Sequence, residues 1–135
     1  MYSHVLLAVS PDEDTPLQRG LEAARKLVSA DGRITALTVI EDVPGYVAAE
    51  VPADVLHASH ERTIGRFRER LAGESGVETV IVQGHPGREI VDWAESHEVD
   101  CIVIMSHRPG LSDLFLGSTA ARVVRHAPTS VHVLR

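Results

Sequence analysis

The sequence predicts an α/β fold: a parallel sheet with helices packed on both of its faces. Three observations carry this. Five apolar runs of four to seven residues are spaced along the chain, with longer stretches of helical periodicity between them. The runs are almost continuously apolar instead of alternating, as strands covered on both faces require. The connections are short, so each strand is followed by a crossover helix that returns the chain parallel to its start.

The run VLLAV at 5–9 is the first strand and ends at Ser10-Pro11. A polar loop with Asp12, Glu13 and Asp14 follows. Thr15-Pro16 then has the form of an N-cap with proline at the first helical position. Leu17, Leu21, Ala24 and the pair Leu27/Val28 recur at helical spacing, and Asp31-Gly32 is the expected stop. ITALTVI at 34–40, rich in β-branched residues, is the second strand. Residues 41–52, with Pro44, Gly45 and Pro52, read as a loop. A second helix is expected over 53–73, on a thin apolar stripe of Val55/Leu56, Ile64, Phe67 and Leu71. The third strand is expected at 77–82. Gly84-His85-Pro86-Gly87 turns into a third helix with Ile90, Trp93, Ala94 and His97 on one face. The fourth strand is expected at 101–105, the fourth helix at 118–126 and the fifth strand at 131–134. No linker, repeat or low-complexity tract interrupts the 135 residues, so one domain over 1–135 is expected.

Composition narrows the function. The chain is 44% hydrophobic and 24% charged, in the range of globular domains. Its net charge is −6 with a single lysine, which argues against nonspecific binding of nucleic acid through clustered cations. One cysteine, Cys101 in an apolar run, excludes an internal disulfide and fits a reducing compartment. The start Met-Tyr-Ser-His enters a strand directly, and no apolar run is long enough to cross a membrane. A cytoplasmic location is expected.

In such sheets a ligand lies beyond the carboxyl ends of the strands where strand order reverses. That directs attention to the loops after the first strand (10–14) and the fourth (106–113). Past the second of these stands Gly117-Ser118-Thr119, at the start of a helix. Glycine permits close approach, backbone N–H groups converge, and the helix end carries partial positive charge, which together suit a phosphate. Arg108 can add a full charge with planar donors. The alternative is that Gly117-Ser118 only caps a helix. Asp12, Glu13 and Asp14 can hold Mg²⁺ through its waters or form a solvated acidic loop. Among 8 histidines, His57 and His60 share a helix face beside Glu61 without a third ligand at fixed spacing. His107 lies in the candidate loop and His85 in a turn. No carboxylate pair or Ser-His-Asp order with a nucleophile elbow is placed for catalysis, so no catalytic residue is assigned.

Three stretches resemble the universal stress protein family along essentially the whole chain. They are the turn and helix from Gly84-His85-Pro86-Gly87 through Trp93-Ala94, the approach Asp100-Cys101-Ile102-Val103 to the fourth strand, and the close from Leu116-Gly117-Ser118 through His126-Ala127-Pro128 to the last strand. The resemblance implies a Rossmann-like, adenine nucleotide alpha hydrolase-like fold: a five-stranded parallel sheet in the order 3-2-1-4-5. It also implies a homodimer paired through the C-terminal strand. Nucleotide binders of the family carry a Gly-x-x-Gly pair, then Gly-Ser or Gly-Thr at a fixed distance, and an Asp at the end of the first strand. Here Met105 and Arg108 stand at the glycine positions, eight residues separate Arg108 from Gly117, and Ser10 stands for the Asp. The run Ser106-His107-Arg108-Pro109 is similar to a variant subgroup regarded as nucleotide-binding.

The resemblance thus implies an adenine nucleotide, ATP or AMP with or without Mg²⁺, as a regulatory ligand read by an unknown protein partner. Its expected contacts are Val9 and Val39 for adenine and Ser10 for ribose. Met105, Ser106, His107, Arg108 and Gly110, with Gly117, Ser118 and Thr119, would surround the phosphates. The alternatives are a non-nucleotide interaction module of the same fold, and a slow nucleotide hydrolase or phosphotransferase.

Overall fold

The structure, a computed structural model, describes residues 1–12, 16–106 and 116–135. Five parallel strands form one sheet: β1 (Tyr2–Ala8), β2 (Val28–Ile40), β3 (Val77–Gln83), β4 (Cys101–Met105) and β5 (Ser130–Leu134), in the order β3-β2-β1-β4-β5. The sheet order is the expected one. Between the strands run α1 (Leu17–Leu27), α2 (Gly45–Ala48), α3 (Ala53–Leu71), α4 (Pro86–Ser96) and α5 (Ser118–His126).

Side chains alternate across the sheet and feed two cores. On one face Val5, Leu7, Ile34, Ala36, Cys101 and Val103 pack with Leu17, Leu21 and Ala24 of α1 and with Phe67 and Leu71 of α3. On the other, Leu6, Leu37, Ile102 and Ile104 pack with Ile90 and Ala94 of α4 and with Ala120 and Val123 of α5. Each fully buried Leu or Ile contributes about 1.5–3 kcal/mol of transfer free energy. Helix α3 buries only Phe67 and Leu71 in 19 residues, as its thin stripe foretold. Burial, and then the neighbouring Asp100 charge, push the Cys101 thiol up, so it is a small core side chain and not a nucleophile.

Three local differences from the sequence reading have physical causes. The first helix ends at Leu27, not at Asp31-Gly32, because Val28 is already extended and pairs with Tyr2. The pairing then jumps to His4 with Arg33, an irregularity that accommodates residues 29–32. Gly32 sits inside it, where a Cβ would lie 2.9 Å from the Tyr2 and Ser3 carbonyls. Residues 41–52 are not all loop: Gly45–Ala48 make one helical turn after Pro44. Thr15, the expected cap, lies outside the described residues; the helix begins at Leu17 after Pro16.

Trp93 is half-buried, stacked on His97 with ring centroids 3.8 Å apart and edge-on to His4 at 5.8 Å. Helix α4 starts as its turn predicts: His85 accepts the Arg88 N–H at 3.3 Å, and Pro86 occupies the first helical position. Among the described residues no helix is long and apolar enough to cross a membrane.

Candidate functional site

Beyond the carboxyl ends of β1 and β4, where strand order reverses, lies a cavity of about 500 Å³. That is enough for a drug- or nucleotide-sized ligand. Every site residue nominated from sequence that the structure describes lines it: Val9, Ser10, Val39, Met105, Ser106, Gly117, Ser118 and Thr119. His107, Arg108 and Gly110 lie outside the described residues, as do Glu13 and Asp14. The lining also includes residues that sequence reasoning missed, among them Glu41, Thr63, Pro86 and Ile104. Thr63 comes from α3 and Pro86 from α4, and no local signal marks residues brought in by the packing of distant helices. Ile104 lies within β4, one residue before Met105, where an apolar residue reads as core.

One wall is apolar. Val9 and Val39 are buried, and Leu37 and Ile104 continue the surface. Beside it runs an edge of backbone. In a parallel strand, the N–H and C=O of one residue point to the same neighbour, and the next residue's point the other way. The Leu37 carbonyl accepts from the Val9 N–H at 2.8 Å, toward β1, and the Ile40 carbonyl accepts from the Gly84 N–H at 3.0 Å, toward β3. The Val39 N–H and C=O therefore face the β1 side. Since β1 ends at Ala8, they face the cavity.

The opposite wall is the start of α5. Gly117 is its N-cap, with φ −59° and ψ 156° and no side-chain capping bond. The first backbone N–H groups of a helix lack intrahelical partners and carry the positive end of its dipole. One detail departs from the expected phosphate cradle: the Gly117 N–H donates to the Ser106 carbonyl, so the available donors begin at Ser118 and Thr119. Ser106, fully buried, in turn donates its N–H to the Leu134 carbonyl at 2.7 Å, which joins the end of β4 to β5.

The loop after β1 is held from two sides. The Ser10 hydroxyl accepts the Asp12 N–H at 3.3 Å, a turn typical of serine. Arg70 of α3 donates to the Asp12 carbonyl at 3.2 Å. Ser10 thus shapes the rim as well as lining it. The rim carries the carboxylates of Asp12 and Glu41, and the described lining holds no lysine or arginine. The site presents an apolar slot, one donor–acceptor backbone edge and a helix start facing each other across the end of β1.

A Rossmann-like α/β fold with a crevice at its switch point is the class this architecture defines. The chain belongs to the universal stress protein family, whose sequence pattern matches residues 1–135. Universal stress protein G of Escherichia coli O157:H7 is 28% identical over 142 residues, spanning all of both chains. The solved universal stress protein UspA from Lactobacillus plantarum superposes with a TM-score of 0.77 at 28% identity, covering 99% of this chain and 98% of that one. A universal stress protein solved in complex with cAMP has the same fold, with a TM-score of 0.61 at 22% identity over 99% of this chain and 97% of its own.

Proposed function

We propose that the protein binds an adenine nucleotide, ATP or AMP, as a regulatory ligand in the cavity beyond β1 and β4. The observation that carries this reading is the opposition of the Val39 peptide edge to the amides of Ser118 and Thr119 across one cavity. The base lies on Val9 and Val39, with the Val39 N–H and C=O against its hydrogen-bonding edge. The ribose passes Ser10, and the phosphate ends on the start of α5. From the sequence, Met105, Ser106, His107, Arg108 and Gly110 complete the phosphate side, with Arg108 supplying charge. Mg²⁺, where a polyphosphate is bound, is held through its waters by Asp12. That a protein of this fold is solved with cAMP supports a purine nucleotide in such a crevice.

Nucleotide occupancy acts by favouring one arrangement of the surrounding loops, which a partner protein reads. The protein works in the cytoplasm as a homodimer joined through β5, which lies at the sheet edge, where an uncovered strand would template aggregation. A second reading, an interaction module that takes no nucleotide, is favoured by one observation: the described lining carries the carboxylates of Asp12 and Glu41 and no lysine or arginine.

The test is direct. The purified protein is denatured without added nucleotide and the released small molecules are separated. Recovered adenine nucleotide supports the first reading. An empty supernatant, with no calorimetric response to millimolar AMP or MgATP, leaves the second.

A further inference from the structure

Pairing of β1 with β2 stops one step early, where a side chain bonds the last carbonyl. In a regular parallel ladder, after the Val9 N–H has donated to the Leu37 carbonyl, the Val9 carbonyl next accepts from the Val39 N–H. Here the Val9 carbonyl accepts instead from the Thr38 hydroxyl at 2.7 Å. Among the described residues no backbone bond joins Val9 and Val39. Thr38 is completely buried and Val9 nearly so, so this bond is shielded from water and fixes the chain where β1 gives way to the loop.

We propose that Thr38 is a positioning residue for the base: its hydroxyl bond holds the Val9 carbonyl turned out of the ladder and so keeps the Val39 N–H open to a purine. The inference rests on the function proposed above and deepens it into a basis for selectivity. With its N–H and C=O both free, Val39 presents one donor and one acceptor side by side. Adenine answers with a ring-nitrogen acceptor at N1 and an amino donor at N6. Hypoxanthine carries N1–H and a carbonyl there, the reverse pattern, and a site built for one hydrogen-bond pattern rejects its mirror. Were the Val39 N–H to re-pair with Val9, the edge would lose its donor and most of its preference.

The experiment uses the nucleotide-stripped protein, AMP and IMP, and the variants Thr38→Val and Thr38→Ser. Thr38→Val keeps the shape and removes the hydroxyl; Thr38→Ser keeps the donor. The expected result is AMP binding weakened about tenfold in Thr38→Val, with IMP little changed. The preference for AMP falls by the same factor, and Thr38→Ser retains it. Backbone amide exchange at Val39, measured without nucleotide, slows in Thr38→Val because the freed carbonyl captures that N–H. Equal weakening of AMP and IMP, or parental AMP affinity in Thr38→Val with unchanged exchange at Val39, overturns the inference alone. A parent protein that binds no AMP overturns the proposed function and the inference together.

Discussion

The Nε2 of His4 lies 2.8 Å from the Thr35 hydroxyl, joining β1 to β2 inside the face covered by α4. The other ring nitrogen, Nδ1, lies 3.1 Å from the His97 carbonyl and must carry the proton to donate to it. Nε2 therefore accepts from Thr35, and the neutral ring satisfies both partners. Thr35 stands opposite Glu78 in the register of β2 and β3, so a polar row extends over three strands at the end of the sheet opposite the cavity.

This arrangement makes stability depend on pH. Burial, chiefly, lowers the His4 pKa from its ordinary 6.5; the His97 carbonyl acts against this, Arg33 adds to it, and Glu78 and Asp100 oppose it. The folded protein thus holds its proton less tightly than the unfolded chain does. The His4 contribution is full above pH 6.5 and declines as pH falls from there through the folded value. Urea midpoints measured from pH 8 to pH 5 should fall over this window, and His4→Gln should flatten the dependence. A parental midpoint that rises on acidification would contradict the assignment.

Asp100 closes the same end of the sheet. Its carboxylate accepts the Ser3 N–H at 2.8 Å and the His4 N–H at 2.9 Å. Burial, the largest single effect, opposes its charge, but the Ser3, His4 and Asp100 N–H groups together with the nearby His4 hold the carboxyl below the usual range. Stability from this group is present above an ordinary pKa of 3.8 and is lost as pH falls further, a window well below that of His4. Asp100→Asn turns an NH₂ toward one of the two donors, and a loss of about 1–3 kcal/mol is expected by denaturant titration at pH 7.

Gly32 tests the register shift. An added Cβ meets two strand carbonyls at 2.9 Å and a Val28 methyl at 2.7 Å, and backbone cannot step aside as a side-chain tip can. Gly32→Ala should cost about 1–3 kcal/mol, measured by thermal or urea unfolding, although Gly32 is only half-buried. A neutral result would mean that residues 28–33 are paired differently.

These positions also show what sequence could reveal. Apolar runs and helical stripes are local, so β4 and α5 were legible to the residue and the alternation implied a parallel sheet. Gly32 was legible only as a breaker. That it serves a strand crossing follows from Tyr2 meeting Val28, a partner choice that local pattern does not encode. Ser10 and Gly117 to Thr119 were legible as lining of the cavity because they sit at a strand end and a helix start, whereas Val9 was expected only from the family resemblance. Thr63 and Pro86 were not, since α3 and α4 reach the cavity only through their packing angle. Thr38 read as one more β-branched strand residue; its bond to Val9 depends on where β1 ends.

A phosphate received at the start of α5 is isolated by Ser118→Pro. Proline is tolerated at the first helical position, and Gly117, at ψ 156°, already has the extended conformation that a following proline requires. The substitution removes the Ser118 N–H and hydroxyl while leaving the helix intact. Calorimetric titration of the stripped protein with AMP should give saturable binding of roughly micromolar affinity, weakened about tenfold to a hundredfold in Ser118→Pro. Equal affinity in the two proteins, or no binding by the parent up to millimolar AMP, would mean that the start of α5 receives no phosphate.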